Sequence, residues 1–244
     1  MIRDFFTVFL LTMLTFPVMA AEPAPACAGS DRACLLKELE STTAQITDEK
    51  WRDISLRELA KSYAEDNRTS DAIALIDKIK NPDTKAMTIR GIGMAAAELE
   101  LPAADYTALF KQLADKAATI THDPSREIAY TYISMAQAFA KQDEAASATA
   151  AAMTNEALRH KAYGEMAEIQ AERSDAPSAL ATLAKIDSES YRNKATRTIT
   201  LLLADRALFE DAARAAHGIT NPTLKAEAIQ YILMRQKKPP GVRK

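Results

Sequence analysis

Apolar residues recur along this chain on a long period. Ile46, Ile79, Ile120, Met153, Ile186 and Ile219 stand 33, 41, 33, 33 and 33 residues apart, and the chemistry around them repeats. Two residues past these anchors come Asp48, Asn81, His122 (followed by Asp123), Asn155, Ser188 and Asn221. Most are side chains that accept hydrogen bonds from the free N–H groups at a helix start. Pro82, Pro124 and Pro222 follow at or near the first helical position, where a missing N–H costs nothing. Thirteen residues past each anchor the position is always apolar: Leu59, Ile92, Ile133, Met166, Ile199 and Ile232. The next is small in Ala60, Gly93, Ser134, Ala167 and Thr200, with Leu233 the exception. Large beside small at one level lets adjacent helices approach closely. A second stretch, as in 71–79, then returns to the next anchor with apolar residues spaced by three and four, the period of an amphipathic helix.

The pattern predicts a helix–turn–helix unit of about 33 residues, repeated five to six times over 31–236. The 41-residue interval is expected to carry longer helices and a longer bend around Leu99-Glu100-Leu101-Pro102. One hairpin cannot bury its apolar face alone, so units stack and the first and last helices act as caps. Composition agrees with an all-α chain: of 244 residues only 6 are Gly and 6% are aromatic, while about a fifth are Ala, the best helix former. Balanced charge, 31 Lys and Arg against 33 Asp and Glu, excludes the basic footprint of a nucleic-acid binder.

Residues 1–20 read as a signal peptide: Arg3, an apolar run from Phe5 to Leu14, then Pro17 and small residues ending at Ala20, near which cleavage is expected. The run is short for a membrane span, and no later segment is long and apolar enough to be one. The mature chain is therefore expected to be periplasmic or secreted, with a leader linker at 21–30. In such a compartment Cys27 and Cys34, the only cysteines, are candidates for a disulfide that ties the leader to the first helix. Residues 237–244 form a basic tail around Pro239-Pro240-Gly241, expected to be disordered.

With Leu59-Ala60, Tyr63, Ala72, Ile76 and Ile79 at their spacing, the first full unit resembles the tetratricopeptide-type α-solenoids. It lacks the early Trp and Gly of that family, has Ile79 where a small residue is usual, and has Pro82 two places early. The resemblance implies a right-handed α-solenoid of five to six antiparallel helix pairs. It also implies a concave face, lined by first helices, that binds proteins or peptides.

Six residues past every anchor stands a base: Arg52, Lys85, Arg126, Arg159, Arg192 and Lys225. Cations in the first turn of a helix are mildly unfavourable against its dipole. Either each reaches carbonyls at the end of the preceding helix, or they form a basic edge that grips an acidic peptide or an anionic envelope polymer. No acidic residue is read as recurring at a fixed offset to neutralise them. Tyr130 and Tyr163, on first helices beside this ladder, are candidates for apolar contact, with core packing their alternative use.

His122, His160 and His217 lack metal-ligand spacing, so no metal or other cofactor is expected. Glu156 and His160 stand one helical turn apart, an arrangement that reads as a surface contact. No nucleophile elbow, Walker loop or zinc-protease motif is present. The reading is thus an exported, non-catalytic protein- or peptide-binding module, with Arg126, Arg159, Arg192, Tyr130 and Tyr163 as its candidate binding residues. Anionic-polymer binding and a cell-wall hydrolase with unidentified acids are the alternatives.

Overall fold

The computed structural model describes residues 27–237. The expected signal peptide, residues 21–26 of the leader and the tail beyond Lys237 lie outside the described residues. The chain is all-α, with no strand among the described residues. Among the described residues twelve helices follow in order: α1 Arg32–Gln45, α2 Glu49–Glu65, α3 Thr69–Ile76, α4 Pro82–Ala97, α5 Ala103–Ala118 and α6 Asp123–Phe139. The second half comprises α7 Asp143–Ala151, α8 Glu156–Glu172, α9 Ala176–Leu183, α10 Glu189–Asp205, α11 Phe209–His217 and α12 Pro222–Lys237.

Local chemistry starts the long, even-numbered helices where they start. Asp48, Asn81 and Asn155 accept hydrogen bonds from the backbone N–H three residues on, at 2.9–3.0 Å, and Asn221 does so at 3.1 Å. Ser188 makes no such bond, and His122 turns its Nδ1 to the Ser125 hydroxyl at 2.6 Å instead. Before α1, Asp31 caps the N–H of Cys34, and Cys34 is bonded to Cys27 with their Cα atoms 5.6 Å apart.

Even-numbered helices pack side by side in chain order, and each odd-numbered helix from α3 to α11 lies against the long helices before and after it. One side of the long-helix layer is thus covered by short helices, and the other is bare. The core lies in the seams. Ile79, Ile120, Ile186 and Ile219 are at most 2% exposed, as are Leu59, Ile92, Ile133, Met166 and Ile199. The small residues beside them are buried too, and Gly93 brings α4 closest to α6: a Cβ there would stand 2.8 Å from that of Ala136. The unit between Ile79 and Ile120 is longer in only one of its helices. α5 has 16 residues where α3, α7, α9 and α11 have 8 or 9, while α4 matches the other long helices.

Long helices end on a left-handed residue. Asn67, Glu100, Lys141, Ser174 and Ala207 have φ between 51° and 64°, and each stands 21 residues past the preceding anchor. This places the next N–H under the helix end, where Arg68, Gln142, Asp175 and Leu208 donate to the carbonyls of Tyr63, Gln137, Gln170 and Leu203 at 2.8–3.0 Å. After Glu100 the N–H of Leu101 donates to the Tyr106 hydroxyl instead.

Two expectations follow for stability. Gly93→Ala gains about 1 kcal/mol of helix propensity but drives a methyl into the fixed Cβ of Ala136, and overpacking of this kind costs about 1–3 kcal/mol. A lower urea midpoint is expected, with Ala136→Gly restoring part of it. Ala207→Gly relieves a left-handed alanine and should raise stability by about 0.5–1 kcal/mol in the same assay.

Candidate functional site

Three of the ladder bases turn inward on their own chain. Arg126, Arg159 and Arg192 donate from Nη1 to the carbonyls of Ile120, Met153 and Ile186 at 3.2, 3.2 and 2.7 Å. These acceptors are the anchors, six residues earlier, at the turn where the odd-numbered helix has just ended. A cation in the first turn of one helix thereby neutralises the carbonyl end of the one before. Acids recur after all. Glu49, Asp123, Glu156 and Glu189 stand three residues before Arg52, Arg126, Arg159 and Arg192, whereas the lysines Lys85 and Lys225 follow Pro82 and Pro222. Arg126 pairs with Asp123 at 2.8 Å, Arg159 with Glu156 at 3.6 Å and Arg52 with Glu49 at 3.9 Å. The acid is favoured at a helix N-terminus and offsets the arginine. Because Glu156 faces Arg159, it is not the partner of His160.

The structure brings together only part of the expected binding set. Arg126 and Tyr130 line one cavity of about 560 Å³, walled by Ala114 of α5 and Ala148, Thr149 and Ala152 of α7. It opens on the short-helix side. Tyr163 is 5% exposed and belongs to the core.

Position seven past the anchor, just inside the ladder, performs a task that sequence reading missed. Asp53 accepts from the backbone N–H of Lys80 and Asn81 at 2.9 and 2.7 Å. Glu127 accepts from the Thr154 hydroxyl at 2.9 Å, and Asn193 from the N–H of Thr220 at 2.9 Å. Each latches its long helix to the loop that precedes the next one. His160 holds the equivalent place in α8 but makes no such bond. It is 6% exposed, its Nε2 is buried without a partner, and its ring lies 5.5 Å from that of Tyr191.

The bare face of the long helices carries a different set. Met87 and Met94 of α4 and Ile128 and Tyr132 of α6 are half-buried, and Phe139 is exposed. The Tyr132 hydroxyl donates to Met87 Sδ at 3.5 Å, and the Arg90 guanidinium lies 5.4 Å from the ring centre of Tyr132. Between α2 and α4 a groove of about 360 Å³ is lined by Arg57 and its ion-pair partner Glu58, with Lys61, Met87, Arg90 and Met94. Between α8 and α10 another, of about 400 Å³, is lined by His160, Lys161, Glu165, Glu168, Tyr191 and Lys194. Burial pushes the Glu165 carboxyl above the usual range against the pull of Lys161 and Arg90. Burial raises Glu168 as well, helped by the charges of Glu165 and Glu172. The face is therefore basic and aromatic toward α4 and acidic along α8. Most of its residues sit 8, 11, 12 or 15 places past the anchors, an offset set with no common chemistry from unit to unit, so periodicity alone does not reveal it.

Among the described residues no group of three His, Cys, Asp or Glu is placed to hold a metal ion, and no helix is long and apolar enough to cross a membrane. Comparison of the chain with protein-family models, with curated proteins and with solved structures finds no match.

The ladder geometry is testable without a partner. Arg192→Ala removes a 2.7 Å charged hydrogen bond to a loop carbonyl and should lower stability by about 1–2 kcal/mol by urea unfolding. Arg192→Lys, which cannot reproduce the planar fork, should recover less than half of that loss.

Proposed function

We propose that this chain is an exported, non-catalytic helical-repeat module of the tetratricopeptide-like kind, with a 33-residue unit, and that it binds an extended protein segment across the bare face of its long helices. The observation that carries this reading is the division of that face into charged margins around an apolar middle. Arg90, exposed and in no direct ion pair among the described residues, stands at one margin, over the Tyr132 ring, with its charge still felt by the Glu165 carboxyl. Met87, Met94, Ile128 and Tyr132 form the middle. Glu165 and Glu168 form the other margin.

From α4 to α8 is two helix spacings, each about 8–10 Å. Six or so extended residues cover that distance at about 3.3 Å each. The fitting segment is acidic at one end, apolar in its middle and basic at the other. The disulfide between Cys27 and Cys34 supports an oxidising destination. The ladder bases do not favour the anionic-polymer alternative, since three of them are engaged by their own loops and acids.

Selection from a random peptide library on the mature chain should yield a consensus of this order. Tyr132→Ala and Met94→Glu, each checked for unchanged helical circular dichroism, should weaken the selected peptide at least tenfold. Arg159→Ala, on the covered side, should not. Peptides indifferent to Tyr132 and Met94, or no selection at all, would sink the reading.

A further inference from the structure

We propose that the groove between α8 and α10 is the seat of an arginine side chain of the bound segment. This rests on the reading of the bare face as the binding face and names the chemistry of its acidic margin. Several independent features converge there. His160, 6% exposed, lines the groove, has a buried Nε2 without a hydrogen-bond partner, and occupies a position used elsewhere to latch one unit to the next. Glu165, which lines the same groove, has one oxygen, Oε2, buried and unbonded, while Lys161 pairs with the other at 3.7 Å. Glu168, on the same wall, has no ion-pair partner among the described residues and stands between the charges of Glu165 and Glu172. Tyr191 of α10 presents an exposed ring opposite, tilted against the imidazole.

The sign of the missing ligand follows from which charges are hidden. Lys161 and Lys194 also line the groove and the charge of Arg90 reaches Glu165, but all three are exposed and keep their hydration. The carboxylates are the desolvated groups, and a charge out of water interacts more strongly with what approaches it. A cation is therefore preferred to an anion. A guanidinium fits better than an ammonium, because its planar fork donates to a carboxylate through two bonds while its face stacks on an aromatic ring.

The probe is N-acetyl-arginine N-methylamide, titrated into the isotope-labelled mature chain with N-acetyl-citrulline N-methylamide as its uncharged counterpart. Saturable shifts are expected at the amides of Gly164, Tyr191 and Ala195, at least tenfold weaker with the citrulline compound. They should vanish in Glu165→Gln/Glu168→Gln, and in Glu168→Gln alone should weaken several-fold, which keeps the test sound if the double variant unfolds. Silence at α8 and α10, equal response to citrulline, or shifts that survive Glu168→Gln would overturn the proposal. The two readings fail separately. Selected peptides that need Tyr132 but no arginine remove the groove's role and leave the binding face. A groove that titrates with arginine while no peptide is selected keeps this site and removes the extended segment.

Discussion

A helix of eight or nine residues does not hold itself together in water, where even good sequences need about 12–15. α3, α7, α9 and α11 are of that length. They exist because two long helices, packed side by side, offer each of them an apolar seam. Everything else in the architecture serves that seam. The apolar residue thirteen places past each anchor fills it, the small neighbour lets the long helices close on it, and the anchors seal its end. The loops entering and leaving the short helices must then be satisfied by side chains, because so short an element has few residues to spare for its own ends.

That demand accounts for the direction in which the arginines point. A carbonyl at the end of a short helix, with a guanidinium six residues away, is a bond between neighbours in sequence. It forms at Arg126, Arg159 and Arg192, though not at Arg52, and at Arg126 and Arg159 an acid at the helix start keeps the arrangement neutral. Arg173 and Arg206 do the same at longer range, donating to the carbonyls of Ala138 and Glu172 at the ends of the preceding long helices. These arginines are thus absorbed by the scaffold. Arg90 on the bare side has no such acceptor and lies over the Tyr132 ring instead, and this contrast separates a structural charge from one able to meet a partner.

The sequence made the scaffold legible because the scaffold is local and repeated. Asp48, Asn81 and Asn155 cap the helices they precede, and the burial of Leu59, Ile92 and Ile133 follows from their common offset. What escaped was chemistry that recurs in role but not in residue type. The latch position reads Asp53, Ala86, Glu127, His160 and Asn193, five side chains that share a place and no name. The left-handed helix ends were hidden for the same reason, since none of the five is glycine. Tyr130 and Tyr163 have identical offsets yet differ in burial. Packing around Tyr130 leaves a cavity between α5 and α7, whereas Tyr163 is closed over. Such differences arise between helices, where no single-chain pattern reaches.

The latches divide the array unevenly. Asp53, Glu127 and Asn193 fasten three of the joints between successive long helices. Between α4 and α6, where Ala86 has nothing to offer, Asp83 is bonded by the hydroxyl of Ser125, and Gly93 brings the two backbones together. The α8–α10 joint differs from these. It is tied at the far end by Arg206, whose Nε donates to the Glu172 carbonyl at 2.6 Å, and at the near end His160 leaves it unfastened. At its near end this joint rests on ring packing, His160 against Tyr191, where three others have a latch bond. A side chain seated in the α8–α10 groove would therefore add polar contacts to the one joint in which the buried latch residue is left without a partner.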